Sequence, residues 1–212
     1  MRLGIVSDIH CNIDSLNLAL ERMGDVHEVL CAGDAVMTYR FSNEVIARLR
    51  EIGAHLVLGN HDMDVLGPQG VRVREHPGVD EELLRWLGQH SARLDTVIDG
   101  KKLTMFHAAP SAPYDYVYRE SARLREFGDL GADFVVYGHT HYAMAAQVNG
   151  TLVVNPGSAG QPRDPKNGFR SSFAVLDTAS KEVRLEVYDD PVHPPRYTEW
   201  SDGVLSDTQA AI

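Results

Sequence analysis

Arg2-Leu3-Gly4-Ile5-Val6-Ser7-Asp8-Ile9-His10 is the stretch whose reading decides the fold. Residues 2–6 are a short apolar run with β-branched members, which reads as a strand. The run breaks at once into Asp8-x-His10. On extended chain the i, i+2 spacing points both side chains the same way, so the pair can grip one ion. Residues 13–23 follow with Ile13, Leu16, Leu20 and Met23 at helical spacing.

The unit then recurs. Residues 26–31 form a second predicted strand, followed by Gly33-Asp34. Ser42 can cap a helix over 43–52, with Val45, Ile46, Leu49 and Ile52 on one face. Residues 55–58 read as a third strand, followed by Gly59-Asn60-His61-Asp62. Strands alternating with helices predict parallel βαβ units.

Farther on the pattern changes. Residues 79–89 read as a helix. Runs 94–98 and 103–107 flank Asp99-Gly100-Lys101-Lys102 as a hairpin, and the second run ends on His107. A helix is expected over 120–127 and a strand over 134–137, leading into Gly138-His139-Thr140-His141. Asn149-Gly150 joins 144–148 to 151–154, the strongest short hairpin signal. Residues 172–177 and 182–188 form another expected pair. Residues 190–212 carry three prolines and no apolar periodicity, and are expected to be a tail or surface arm beyond a domain over 1–189. The fold class is α/β: a mixed sandwich.

Five strands thus end in residues of metal-ligand type: Asp8 and His10, Asp34, Asn60, His107, and His139 with His141. In open α/β sheets, ligands bind outside the carboxyl ends of the strands, where these residues would converge. Taken singly, Asp8 could be a helix cap, Gly33-Asp34 a turn and His107 an ordinary strand-end histidine. Gly59-Asn60-His61-Asp62 and Gly138-His139-Thr140-His141 are more specific, because such polar clusters after a strand serve no packing purpose. The set is rich in imidazole and poor in carboxylate, which suits Mn, Fe, Zn, Co or Ni better than Mg or Ca. Two divalent ions, two aspartates and a hydroxide leave a net charge of about +1, which attracts phosphate.

The chain has 212 residues, enough for one domain with a sizeable core. Hydrophobic residues make up 43% and charged residues 24%, as in soluble globular proteins. No apolar stretch approaches the ~20 residues of a membrane-spanning helix, and the first residues do not read as a signal peptide. A cytoplasmic location without membrane contact is expected, and Cys11 and Cys31 fit a reducing compartment. The net charge of −10 argues against a long nucleic acid as partner and leaves room for a small phosphorylated substrate. His27, His55, His76, His90 and His193 have no motif context and read as ordinary histidines. Cys11 reads as a small buried hydrophobe.

These motifs, in this order, resemble the calcineurin-like metallophosphoesterase family over roughly residues 1–188. Ser42-Asn43-Glu44-Val45, Asn155-Pro156-Gly157-Ser158 and Gly160-Gln161-Pro162-Arg163 are similar to its small bacterial and archaeal branch. The resemblance implies a four-layer α-β-β-α sandwich with two mixed sheets. It implies that Asp8, His10 and His141 bind one metal, that Asn60, His107 and His139 bind a second, and that Asp34 bridges them. A metal-bridging hydroxide would attack phosphorus in line, with ions ~3.5–4 Å apart stabilising the attacking and leaving oxygens. His61 would stabilise the transition state or protonate the leaving oxygen, and Asp62 would orient His61. Two features depart from the family: Cys11 stands where many relatives have glycine, and Val36-Met37-Thr38-Tyr39-Arg40-Phe41 replaces a Gly-Tyr-Gly-Pro stretch of the branch.

The expected function is therefore hydrolysis of a small phosphoester, a phosphodiester above all, by two divalent metal ions. Asn12, Arg40 and Arg163 are candidates for substrate contact. The rivals are a dinucleoside polyphosphate hydrolase, a protein phosphatase and, from another class, a non-catalytic interaction scaffold of the same fold. The scaffold reading is the weaker because His61 and every ligand type are present.

Overall fold

A computed structural model describes residues 1–112 and 114–192, and the backbone alone of 200–201 and 204–205. Strand β1 (Arg2–Val6) is buried from Leu3 to Val6. A run buried on both faces belongs at the centre of a sheet. It pairs in parallel with β2 (Glu28–Cys31), with Leu3 opposite Glu28 and Val6 opposite Cys31. The crossover is helix α1 (Ile13–Met23), whose Leu16, Ala19 and Met23 are buried at helical spacing. Asn12 caps it by accepting from the Ser15 amide at 3.0 Å. Helix α2 (Asn43–Glu51) is capped by Ser42 as its sequence predicts, and leads to β3 (His55–Leu56), which runs parallel to β2.

β3 is shorter than its apolar run: Val57 N still donates to Cys31 O at 3.1 Å, but Leu58 N turns to Ser91 O at 2.9 Å. Asn60 opens helix α3 (Asn60–Leu66), followed by α4 (Val71–Arg74). Helix α5 (Glu81–Leu87) is trimmed from the expected 79–89, since the Asp80 carboxylate caps it from outside. Strands β4 (Arg93–Ile98) and β5 (Lys101–Phe106) form the first hairpin. They extend inward to leave Asp99 and Gly100 as the loop, with φ 52° and 72°. The helix expected over 120–127 becomes a 3-10 turn at Ala122–Leu124 and a single α turn, α6 (Arg125–Gly128). The remaining strands are β6 (Phe134–Val136), β7 (Ala143–Val148), β8 (Thr151–Pro156), β9 (Ser171–Asp177) and β10 (Val183–Tyr188).

One sheet has the order β10-β9-β1-β2-β3 and the other β4-β5-β6-β8-β7. Both mix parallel and antiparallel pairs. Leu3, Ile5, Leu30 and Leu176 of the first sheet pack against Leu103, Met105, Phe134 and Val154 of the second. The sheets therefore lie face to face, and burial of this shared face holds them together. Leu16, Ile46, Leu49 and Leu87 pack the helices of the first half outside one sheet. Phe127 of α6 covers Phe106, Val135 and Tyr137 on the outer side of the other. The α-β-β-α sandwich is the expected fold.

No helix among the described residues is long and apolar enough to cross a membrane. Most of the expected tail, and His193, lie outside the described residues. Two-residue strands β11 (Trp200–Ser201) and β12 (Val204–Leu205) pair with each other.

Candidate metal centre

The strand ends converge as the sequence predicts. Asp8, His10 and His141 bring one ligand atom each within 4.8 Å of one another, and Asp34, His107 and His139 do the same. The halves abut: His107 Nε2 lies 3.1 Å from Asp34 Oδ2 and 3.9 Å from Asp8 Oδ1. All six side chains are buried.

Backbone conformation aims them. Asp8, His10, Asp34, His139 and His141 have φ of 53°, 49°, 53°, 67° and 60°, the left-handed region. Only a few per cent of non-glycine residues sit there, and such strain gathers at functional sites. The turn throws each side chain inward beyond its strand. Cys11 shares it, with φ 65°, so the backbone keeps the conformation glycine would adopt. Gly33 has φ 93°. Gly59 has ordinary extended dihedrals and is small for another reason: a Cβ there would collide with Asp34 Oδ1 and the Asp34 amide.

The imidazole protons follow from outer partners. His107 Nδ1 donates to Ala32 O at 2.7 Å, His139 Nε2 to Tyr114 O at 3.1 Å, and His141 Nδ1 to Gln161 O. Each ring's other nitrogen is left facing inward. There His10 Nε2 meets His141 Nε2 at 3.4 Å, and His107 Nε2 meets His139 Nδ1 at 3.2 Å. Asp8 Oδ1 and Asn60 Oδ1 are buried without a hydrogen-bond partner. Asp8 Oδ1 is nevertheless 3.1 Å from His141 Nε2. Ring nitrogens converging on one space and orphaned buried oxygens fit a divalent cation, and outer bonds that fix the tautomer are usual for ligating histidines.

Electrostatics agree. Burial opposes charge on Asp8 and Asp34, but the adjacent imidazoles, His141 for Asp8 and His107 for Asp34, hold both carboxyls below the usual range. Burial likewise opposes charge on His107, yet Asp34 and then Asp8 push it up to about 10. Burial takes His10 down to about 4 against the pull of Asp8. It also lowers His139, helped by the charge on His107.

His61 and Asp62 part company. His61 Nε2 faces the cluster, 3.9 Å from Asp34 Oδ2, and its ring meets His10 edge-on. Its Nδ1 turns to Thr38 Oγ1 at 2.6 Å, and that hydroxyl lies 2.9 Å from Asp64 Oδ2. Asp62 does not orient His61. Its buried carboxylate accepts from Gly59 N at 2.9 Å, Val36 N at 3.0 Å and Ala35 N at 3.4 Å. It thereby ties the loop after β2 to the start of α3. Burial, then the charge on Asp34, pushes it up to about 7.

Of the expected substrate contacts, Asn12 is engaged within the protein, its Oδ1 in the α1 cap and its Nδ2 on Asp190 at 2.5 Å. Arg40 and Arg163 are exposed, and Arg163 reaches Gln161 Oε1 at 3.2 Å. Thr38 and Asp64 escaped the sequence reading, since neither is part of a strand-end motif. The bland histidines behave as expected where described: His55 pairs with Glu28, and His90 packs on Trp86. Cys11 and Cys31 are buried thiols.

Two mixed sheets carrying a cluster of histidines and aspartates at their strand ends define a metal-dependent phosphoester hydrolase. The chain belongs to the calcineurin-like phosphoesterase superfamily, whose domain matches residues 1–181. It is 27% identical to an uncharacterized protein of Methanocaldococcus jannaschii, over 87% of this chain and 85% of that one. It is 26% identical to a phosphodiesterase of the same organism, over 87% and 97%. Among solved structures, a metallophosphoesterase from Sphaerobacter thermophilus superposes with a TM-score of 0.76 at 24% identity, covering 91% of this chain and 90% of that one, and shares the fold.

Proposed function

We propose that this chain hydrolyses a small phosphodiester at a pair of divalent ions. Asp8, His10 and His141 would hold one ion, Asn60, His107 and His139 the other, with Asp34 shared. The observation that carries this reading is the meeting of two ligand groups, with inward-facing ring nitrogens and orphaned oxygens on Asp8 and Asn60. When bound, the ions supply Lewis-acid polarisation of the phosphoryl group and lower the pKa of water.

The protein's own groups do the rest. Ala32 O, Tyr114 O and Gln161 O keep the outer protons of three imidazoles and fix their tautomers. Asp62 clamps the Asp34 and Asn60 segments in register. His61, less buried than the aspartates and histidines of the cluster, presents Nε2 to it. A proton held there passes to the departing alcohol oxygen, and Thr38 keeps Nδ1 turned away from the site. The relative named a phosphodiesterase supports a diester over a monoester.

Metal analysis of the purified protein, then phosphomonoester, phosphodiester, dinucleoside polyphosphate and phosphopeptide panels with added Mn, tests this. Diester hydrolysis that vanishes in Asp34→Ala and His61→Ala is expected. Turnover of phosphopeptides alone would move the reading to a protein phosphatase. Metal binding without turnover of any ester would favour a non-catalytic scaffold.

A further inference from the structure

A row of tyrosines stands beside the candidate centre. Tyr114, Tyr116 and Tyr118 fall at every second position, and the rings of Tyr116 and Tyr118 lie nearly parallel. The backbone beneath them is pinned. Val117 is fully buried, the Tyr137 hydroxyl donates to its carbonyl at 2.9 Å, and Arg123 pairs with Asp115 at 2.6 Å. Yet the three rings are 57%, 47% and 41% exposed. Large aromatic surface held toward solvent by a fixed backbone marks a binding surface.

The row is continuous with the candidate centre. Tyr116 stacks on His139, with centroids 4.1 Å apart and planes at 24°. Tyr118 lies nearly parallel to Tyr116 at 6.1 Å and meets Tyr142 edge-on at 5.3 Å. Past Tyr118 and Tyr142 a cavity of about 170 Å³ opens, rimmed by Arg119, Glu120, Asp164 and Lys166. Whole-ligand pockets run to roughly 300–1,000 Å³, so this space suits one ring system. Its rim carries two cations and two acids. That balance recognises a neutral heterocycle with donor and acceptor edges rather than a second phosphate.

We propose that this row is a nucleobase subsite, so that one arm of the phosphoester is a nucleoside whose base stacks along Tyr116, Tyr118 and Tyr142. The proposal rests on the hydrolase reading above and names its substrate class. Tyrosine faces accept any base by stacking, and their hydroxyls stay in water.

The test compares thymidine 5′-(p-nitrophenyl phosphate) with ethyl p-nitrophenyl phosphate on the Mn-loaded protein. The leaving group is the same and only the retained arm differs. A stacked base raises kcat/KM for the nucleoside ester by roughly 5- to 150-fold. In Tyr116→Ala and Tyr118→Ala the ratio falls toward one, while Tyr118→Phe keeps it. A wild-type ratio near one, or a ratio the alanine variants leave unchanged, overturns the subsite while the hydrolase reading stands. Titration with adenosine 5′-monophosphate, followed by NMR, reads the subsite without turnover. If neither ester is cleaved but the nucleotide binds, and binding weakens in Tyr118→Ala, the hydrolase reading falls and the subsite survives. Absence of nucleotide binding overturns the subsite.

Discussion

Thr38 Oγ1 lies 2.6 Å from Nδ1 of His61, and the same hydroxyl lies 2.9 Å from Asp64 Oδ2. A carboxylate accepts only, so the hydroxyl can donate to Asp64. The Thr38 hydroxyl and the Thr38 amide, which donates at 3.2 Å, both engage Nδ1 of the ring. The ring is thereby held with Nε2 toward Asp34. This is the logic by which a buried carboxylate orients a catalytic imidazole, relayed here through one hydroxyl.

Thr38→Val keeps the shape and removes the relay. It is expected to lower kcat about 10- to 100-fold, the range typical for loss of a partner that orients a site histidine, with bound metal unchanged. Thr38→Ser restores most of the rate. Wild-type kcat in a folded, metal-loaded Thr38→Val protein would show that His61 needs no such support.

The candidate ligand positions were legible in the sequence for a physical reason. Asp8, His10, Asp34, Asn60, His107, His139 and His141 follow apolar runs directly, where packing gives polar groups no purpose. The hairpins were legible because Asn149-Gly150 and Asp99-Gly100 adopt positive φ. The environment of His61 was not. Asp62 adjoins His61 in sequence, but helix α3 turns successive side chains about 100° apart, so Asp62 points to the amides of Val36 and Gly59. Asp64, three residues on, returns to the face of His61. Thr38 meets them only because Met37 and Arg40 close a tight turn, each amide donating to the other's carbonyl at 3.0 Å. The alternating tyrosines 114, 116 and 118 carried a period-2 signal, but their proximity to His139 is a tertiary fact.

Asp62 should behave as a structural clamp rather than as a partner of His61. Asp62→Ala strands two or three buried amides, at about 1–3 kcal/mol each where no water replaces the carboxylate. A loss of about 2–4 kcal/mol is expected in the metal-free protein, or a Tm lower by roughly 4–16 °C. Thermal unfolding after chelation checks this. A melt within a degree of wild type would show that the clamp carries no stability.

Gly59 is required for space. A Cβ there would collide with Asp34 Oδ1, while its backbone angles are open to any residue. Gly59→Ala is therefore expected to fold at a cost of about 1–3 kcal/mol and to lose metal first, because Asp34 must move. Metal content falling with a near-native circular dichroism spectrum is the predicted pattern. Full metal occupancy would contradict the close approach.

His107 makes the metal-free and metal-loaded proteins respond oppositely to pH. Burial disfavours its charge, but Asp34 and Asp8 push its folded value up to about 10, against an ordinary 6.5. A raised imidazole contributes stability that is fully present below the unfolded value and lost as pH rises through the folded one. The chelated protein should therefore lose stability between about pH 7 and 10, and His107→Asn should flatten that slope. Metal binding runs the other way, because a ligating imidazole must give up the Nε2 proton now lying between Asp34 and His139. Binding near pH 7.5 should release about one proton from this residue, and affinity should rise about tenfold per pH unit below 10. Calorimetry in buffers of differing ionisation enthalpy measures the release directly. No difference in proton release between wild type and His107→Asn would remove His107 from the ligand set.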